Sequence, residues 1–139
     1  MTRDSVAHKF PEGNFYRKMV AFLKQLNLYL NHWPKHEKHA LAKSIRDDAY
    51  HIFDLMVEGQ KRYFKKTSLT ELDVTIEKLR LKLMLAYELG YFSFRQKGDA
   101  EDRSEVVSEK RFGVLTVMLD EIGRIVGGWI KKVKESQQW

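Results

Sequence analysis

The sequence predicts an all-α fold, an antiparallel up-down four-helix bundle. Three observations carry this. Apolar residues recur every three or four positions in four separate stretches, and none of the stretches alternates as a strand would. Only two prolines occur in 139 residues, Pro11 and Pro34, in a chain rich in leucine and lysine. Short polar connections join the stretches, which makes consecutive helices antiparallel neighbours. The length is that of one domain spanning 1–139, enough to bury a core without a disulfide or metal.

The first helix is predicted over roughly 14–33. Its stripe is Phe15, Met19, Phe22, Leu26, Tyr29 and Trp33, with Asn14 as N-cap and Pro34 as terminator. The second, over 35–66, opens after Pro34 and carries Ala42, Ile45, Ala49, Ile52, Met56, Gly59 and Tyr63. The third, over 69–94, follows Ser68, which has Glu71 three residues on in the pattern of a capping box. Its stripe is Leu69, Leu72, Ile76, Leu79, Leu83, Ala86 and Gly90. The polar segment RQKGDAEDRS, with Gly98 inside it, reads as a loop. The fourth helix, over 104–134, carries Phe112, Leu115, Leu119, Ile122, Val126, Trp129 and Val133. A seven-residue spacing recurs in all four, which suits packing at about 20°.

Two helices are apolar beyond one face. The third adds Val74, Leu81, Leu85, Leu89 and Phe92, and the fourth adds Val114, Met118 and Ile125. A helix apolar on two sides must be buried on two sides. The expectation is a homo-oligomer; a wide core stripe on a monomer is the alternative.

Composition narrows the chemistry. With no cysteine there is no disulfide, thiolate zinc site, iron–sulfur cluster or cysteine nucleophile. This fits a reducing cytoplasm, the expected location. The opening MTRDSVAHKF lacks the apolar core of a secretory signal, and no apolar run approaches the ~18 residues of a membrane span. The net charge of +6 and a pI of about 9.5 favour polyanionic partners.

Up-down topology gathers much of that charge at one end. The start of helix one, the end of helix two, the start of helix three and the end of helix four share a pole. Arg17, Lys18, Lys61, Arg62, Lys65, Lys66, Lys131, Lys132 and Lys134 fall there, against Glu12, Glu71, Asp73 and Glu135. This is the footprint of a phosphate-backbone binder. Lysines at helix C-termini also oppose the helix dipole, which explains part of the clustering without a ligand. The opposite pole holds His32, His36, His39 and the acidic residues Asp99, Glu101 and Asp102.

One segment suggests catalysis. RDDAYH, Arg46 to His51, resembles the motif of the HEPN ribonucleases, in which the arginine would hold the scissile phosphate and the histidine would move a proton. Five residues are about 500° around a helix, so the pair share a side only loosely. The alternative is a solvated Arg46 and a His51 bonded to Asp47 or Asp48. No metal site is expected: Asp48 and His51 are spaced as in di-iron bundles, but the required second pair is missing. Nor is there a P-loop, a dinucleotide-binding motif, HExxH or a nucleophile elbow, so no cofactor is expected.

Helix four contains Gly123, Gly127 and Gly128 before Trp129. Each internal glycine costs about 1 kcal/mol relative to alanine, so something must offset them. Close backbone approach does so, either inside the bundle or at an interface formed with Leu81, Leu85, Arg124 and Trp129.

The run EIGRIVGGWIKKV, Glu121 to Val133, resembles the C-terminal helix of the accessory variability determinant family of diversity-generating retroelements. LRLKLMLAYELGYFS, from Leu79, is similar to that family's third helix, and Pro34 before helix two also fits. The resemblance covers most of residues 14–134, with helix four its most specific part. It implies a four-helix bundle assembled as a homopentameric barrel, without catalysis of its own. Such a protein would partner the element's reverse transcriptase and bind RNA or DNA through a basic surface, supporting error-prone cDNA synthesis. By the motif, Arg80 is the helix-three arginine expected to contact partner or nucleic acid. The family's second basic residue, four positions on, is replaced by Met84, with Lys82 nearby. The Gln96–Arg103 loop is long and acidic for the family. A sister bundle, the ribosomal-RNA intervening-sequence family, shares these features and stays open as an alternative.

Overall fold

The computed structural model describes residues 13–61, 66–95 and 104–136. They form α1 (Gly13–Leu30), a 3₁₀ turn (Lys35–Glu37), α2 (Leu41–Lys61), α3 (Lys66–Glu88) and α4 (Ser104–Glu135), with no strand among them. The four stripes explain why. Phe15, Met19, Phe22 and Leu26 of α1, Ile45, Ile52 and Met56 of α2, Leu69, Leu72, Leu79 and Leu83 of α3, and Leu115, Leu119, Ile122 and Val126 of α4 all lie in one core. Burying each large apolar side chain contributes ~1.5–3 kcal/mol, and this collective burial stabilises helices that would be marginal alone. Phe112 and Val133 are half-buried against the same core.

Contacts run α1–α4, α4–α3, α3–α2 and, more sparsely, α2–α1. The helices are antiparallel around this circuit. Phe15, early in α1, meets Trp129, late in α4, while Tyr87, late in α3, stacks on Phe112, early in α4. Asp48 in the first half of α2 reaches Lys82 in the last part of α3.

The ends of the helices differ from expectation. α1 stops at Leu30, where His32 N–H to Tyr29 and Trp33 N–H to Leu30 close i→i+3 turns that tuck Trp33 into the core. α2 begins at Leu41 and not at residue 35. Pro34, at φ −54° and ψ 140°, is extended, and a single 3₁₀ turn intervenes. The Leu41 N–H then donates to the Glu37 carboxylate at 3.3 Å, satisfying a donor that the first helical turn leaves open. α3 starts at Lys66, so Ser68 sits inside its first turn and is not the N-cap.

At its other end α3 stops at Glu88, short of residue 94. Gly90 adopts φ 81°, donating to Tyr87 O at 3.0 Å while Tyr91 N–H donates to Ala86 O at 3.0 Å. These two bonds form a Schellman motif. Gly90 is therefore the terminator of the helix and not part of its stripe. The reversal turns Phe92 inward, where it is fully buried, so it does not belong to a second face of α3.

The remaining second-face residues divide. Val114, Met118 and Ile125 of α4 are half-buried, the last two against the core of their own bundle. Val74, Leu81 and Leu85 of α3 and Leu89 just past its end are 47–54% exposed, with Met84 at 45%.

Candidate nucleic-acid interface

Each seam between neighbouring helices carries a polar clamp. Between α1 and α2, Arg46 donates to the side-chain oxygens of Asn27 and Asn31, both at 2.8 Å. Between α2 and α3, Lys82 donates to Asp48 at 2.7 Å, and His51 hydrogen-bonds with Glu71 at 2.8 Å. Between α3 and α4, Arg80 pairs with Asp120 and, within its own helix, with Glu77. Between α1 and α4, Lys18 pairs with Glu121 at 2.7 Å. That hydrogen bond and the ammonium charge hold the Glu121 carboxyl below its ordinary pKa.

These clamps decide several candidates. Arg46 turns towards α1 and His51 towards α3, so the two residues of the ribonuclease-like motif are engaged by different neighbours. Arg80 and Lys82, two positions apart on α3, likewise serve opposite sides. Arg80 is half-buried over a cleft of about 680 Å³ between α3 and α4, which Lys78, Leu81 and Arg124 also line. Burial lowers its pKa, but the bond and charge of Asp120 outweigh this, and the net shift is upwards. Arg80 is thus a permanent cation already engaged by carboxylates.

The basic pole keeps the cations that lie beyond the seams. Arg17, Lys66, Lys131, Lys132 and Lys134 are exposed. Lys61 closes α2, while Arg62 and Lys65 lie outside the described residues, as does Tyr63. Lys132 and Lys134 occupy the last turn of α4, where they also favour the helix dipole.

The glycines of α4 have separate settings. A Cβ on Gly123 would lie 3.7 Å from Arg80 Nη2 and 3.9 Å from Ile76, so this glycine faces α3. Gly127 and Gly128 are exposed, with open space where a Cβ would stand. Trp129 is 7% exposed, its ring 5.0 Å from Phe15, and belongs to the core of its own chain.

One charged residue escaped the sequence reading. Arg111 of α4 is 5% exposed. Its Nη1 donates to Phe92 O at 3.0 Å and also to Phe94 O, and its guanidinium lies 3.9 Å from the centre of the Phe94 ring. The signal was available: Ser108 and Arg111 continue the α4 stripe backwards from Leu115, and both are buried. A polar residue on a core stripe marks a buried hydrogen-bonding site.

The class of protein so defined is a small basic all-α bundle; no group of three or more potential metal ligands occurs among the described residues. The family model described as bAvd-like matches residues 15–107, more than half of the chain, and the chain belongs to that family. The match takes in α1, α2, α3 and the first residues of α4, so membership rests on a different part of the chain from the Glu121–Val133 motif. No curated protein and no solved structure matches the chain.

Proposed function

We propose that this protein is the non-catalytic accessory protein of a diversity-generating retroelement. It binds the element's reverse transcriptase together with template RNA or cDNA, acts in the cytoplasm, and supports mutagenic cDNA synthesis. Membership of the bAvd-like family is the observation that carries this reading. The exposed cations of the basic pole support the nucleic-acid part. The exposed apolar residues of α3 support assembly of several copies, with a homopentameric barrel as the specific proposal; Arg124, which lines a cleft with Leu81, and Gly127 and Gly128 on α4 are further candidates for its contacts. The separation of Arg46 from His51 argues against the ribonuclease alternative.

Phosphate contacts release counterions, so log affinity falls linearly with log salt by roughly 0.7 to 0.9 per phosphate neutralised. Binding to a structured RNA, measured across a salt series, is expected to show this dependence with the RNA left intact. Replacing Arg17, Lys131 and Lys132 with glutamine is expected to make the slope shallower by about 2–3. An unchanged slope would place the phosphate contacts elsewhere.

A further inference from the structure

The histidine pole, opposite the lysines, has a geometry that the basic-pole reading does not use. His32 follows the end of α1, and its ring lies 4.9 Å from that of Phe94 with only 7° between the planes. Phe94 is held in turn by Arg111 at 3.9 Å and by Tyr29, whose ring centre is 6.0 Å away. His32 itself is exposed. One face of an exposed ring thus rests on a packed aromatic side chain. Next to it, Tyr91 is half-buried, backed by Trp33 at 5.3 Å and met edge-on by His36 at 6.3 Å.

The segments that carry these rings also expose Lys35, Lys38 and Arg95, together with His36 and His39. Of the nearby carboxylates, Glu37 is largely covered, bonding the Leu41 N–H and lying 3.8 Å from His36. Platforms for single-stranded nucleic acid combine such rings with such cations, because every base has a π-face to stack.

We infer that His32, supported by Phe94, stacks an unpaired base of a single-stranded nucleic acid. The inference rests on the proposed nucleic-acid binding and assigns it a second contact of a different kind. The stack is preformed, so binding a base costs no further ordering of the histidine or its support.

The test compares two labelled single-stranded RNAs of about 12 nucleotides, one ordinary and one abasic throughout, by fluorescence anisotropy with the full chain. The ordinary strand is expected to bind about five- to a hundred-fold more tightly at equal phosphate number. His32→Ala is expected to remove most of that preference while keeping the salt slope, and His32→Phe to restore it. Because His32 is exposed, neither change touches the core. Equal binding of both strands by the unaltered protein would overturn the inference, as would failure of His32→Phe to restore the preference. A preference that survives His32→Ala would move the stacking site elsewhere and leave nucleic-acid binding standing. Binding of neither strand at any salt would overturn both readings.

Discussion

Replacing Arg111 with methionine tests whether a buried cation fastens the end of α3 to α4. Its Nη1 donates to the carbonyls of Phe92 and Phe94, the segment that turns back after Gly90. Hydrogen bonds involving a charged group contribute about 1.5–3 kcal/mol each when judged by deletion, and a buried carbonyl left unpaired adds to the loss. The contact with Phe94 adds ~0.5–2 kcal/mol. Against this, methionine removes the desolvation cost of a buried guanidinium and fills much of its volume. The net expectation is a loss of about 3–4 kcal/mol. For a domain of this length each kcal/mol moves the melting temperature by about 3–4 °C, so Arg111→Met should melt roughly 10–15 °C lower. Thermal and urea unfolding followed by circular dichroism measure this. A drop of less than about 3 °C would show that the two carbonyls are satisfied without Arg111, and the reasoning would fail.

Three further outcomes are expected. In Lys18→Met the Glu121 carboxyl, now held low by Lys18, should return towards its ordinary 4.5, as read by carboxyl NMR titration. A depressed folded-state pKa stabilises above the unfolded value and is lost as pH falls through the folded value, so the stability gap between the two proteins should close on acidification below about 4.5; an unchanged Glu121 titration would mean that the pair does not form in solution. Gly127→Ala combined with Gly128→Ala should raise the stability of the separated chain by about 1–2 kcal/mol, since alanine is the better helix former and meets nothing there. If those glycines also permit close approach between copies, light scattering should show weakened assembly in the same variant. Leu81→Lys with Leu85→Lys should lower the molar mass to that of one chain without loss of helical signal, because both side chains are about half exposed in the single bundle; an unchanged mass would take the interface off this face.

The core was legible because it depends on local repetition. A stripe such as Phe15, Met19, Phe22 and Leu26 declares its buried face within a few turns, and all four side chains are inaccessible to solvent. The helix ends were harder, although their signals were present. Gly90 fell in register with the α3 stripe, so periodicity concealed that a left-handed residue there ends the helix. Pro34 marked the break between α1 and α2, but the first turn of α2 was settled four residues past Glu37 by a carboxylate reaching the Leu41 N–H.

The candidate site was less legible, because charge pairing is decided between residues distant in sequence. Lys18 meets a carboxylate 103 positions away, Arg80 one 40 away and Lys82 one 34 away. Counting lysines and arginines by pole treats Lys18 as available, and the family resemblance does the same for Arg80 and Lys82, whereas each of the three clamps a helix to its neighbour. Exposed cations remain at both ends of the bundle, Arg17, Lys131 and Lys132 at one pole and Lys35 and Lys38 at the other, and also along its sides, at Lys24, Lys78 and Arg124. The two ends differ in what accompanies their exposed lysines. One combines lysines with helix termini, and the other combines them with stacked rings. A single strand that touched both would meet phosphate-directed charge at one end and base-directed aromatic surface at the other, so His32→Ala and the Arg17, Lys131 and Lys132 glutamine substitutions should weaken its binding independently and by nearly additive factors.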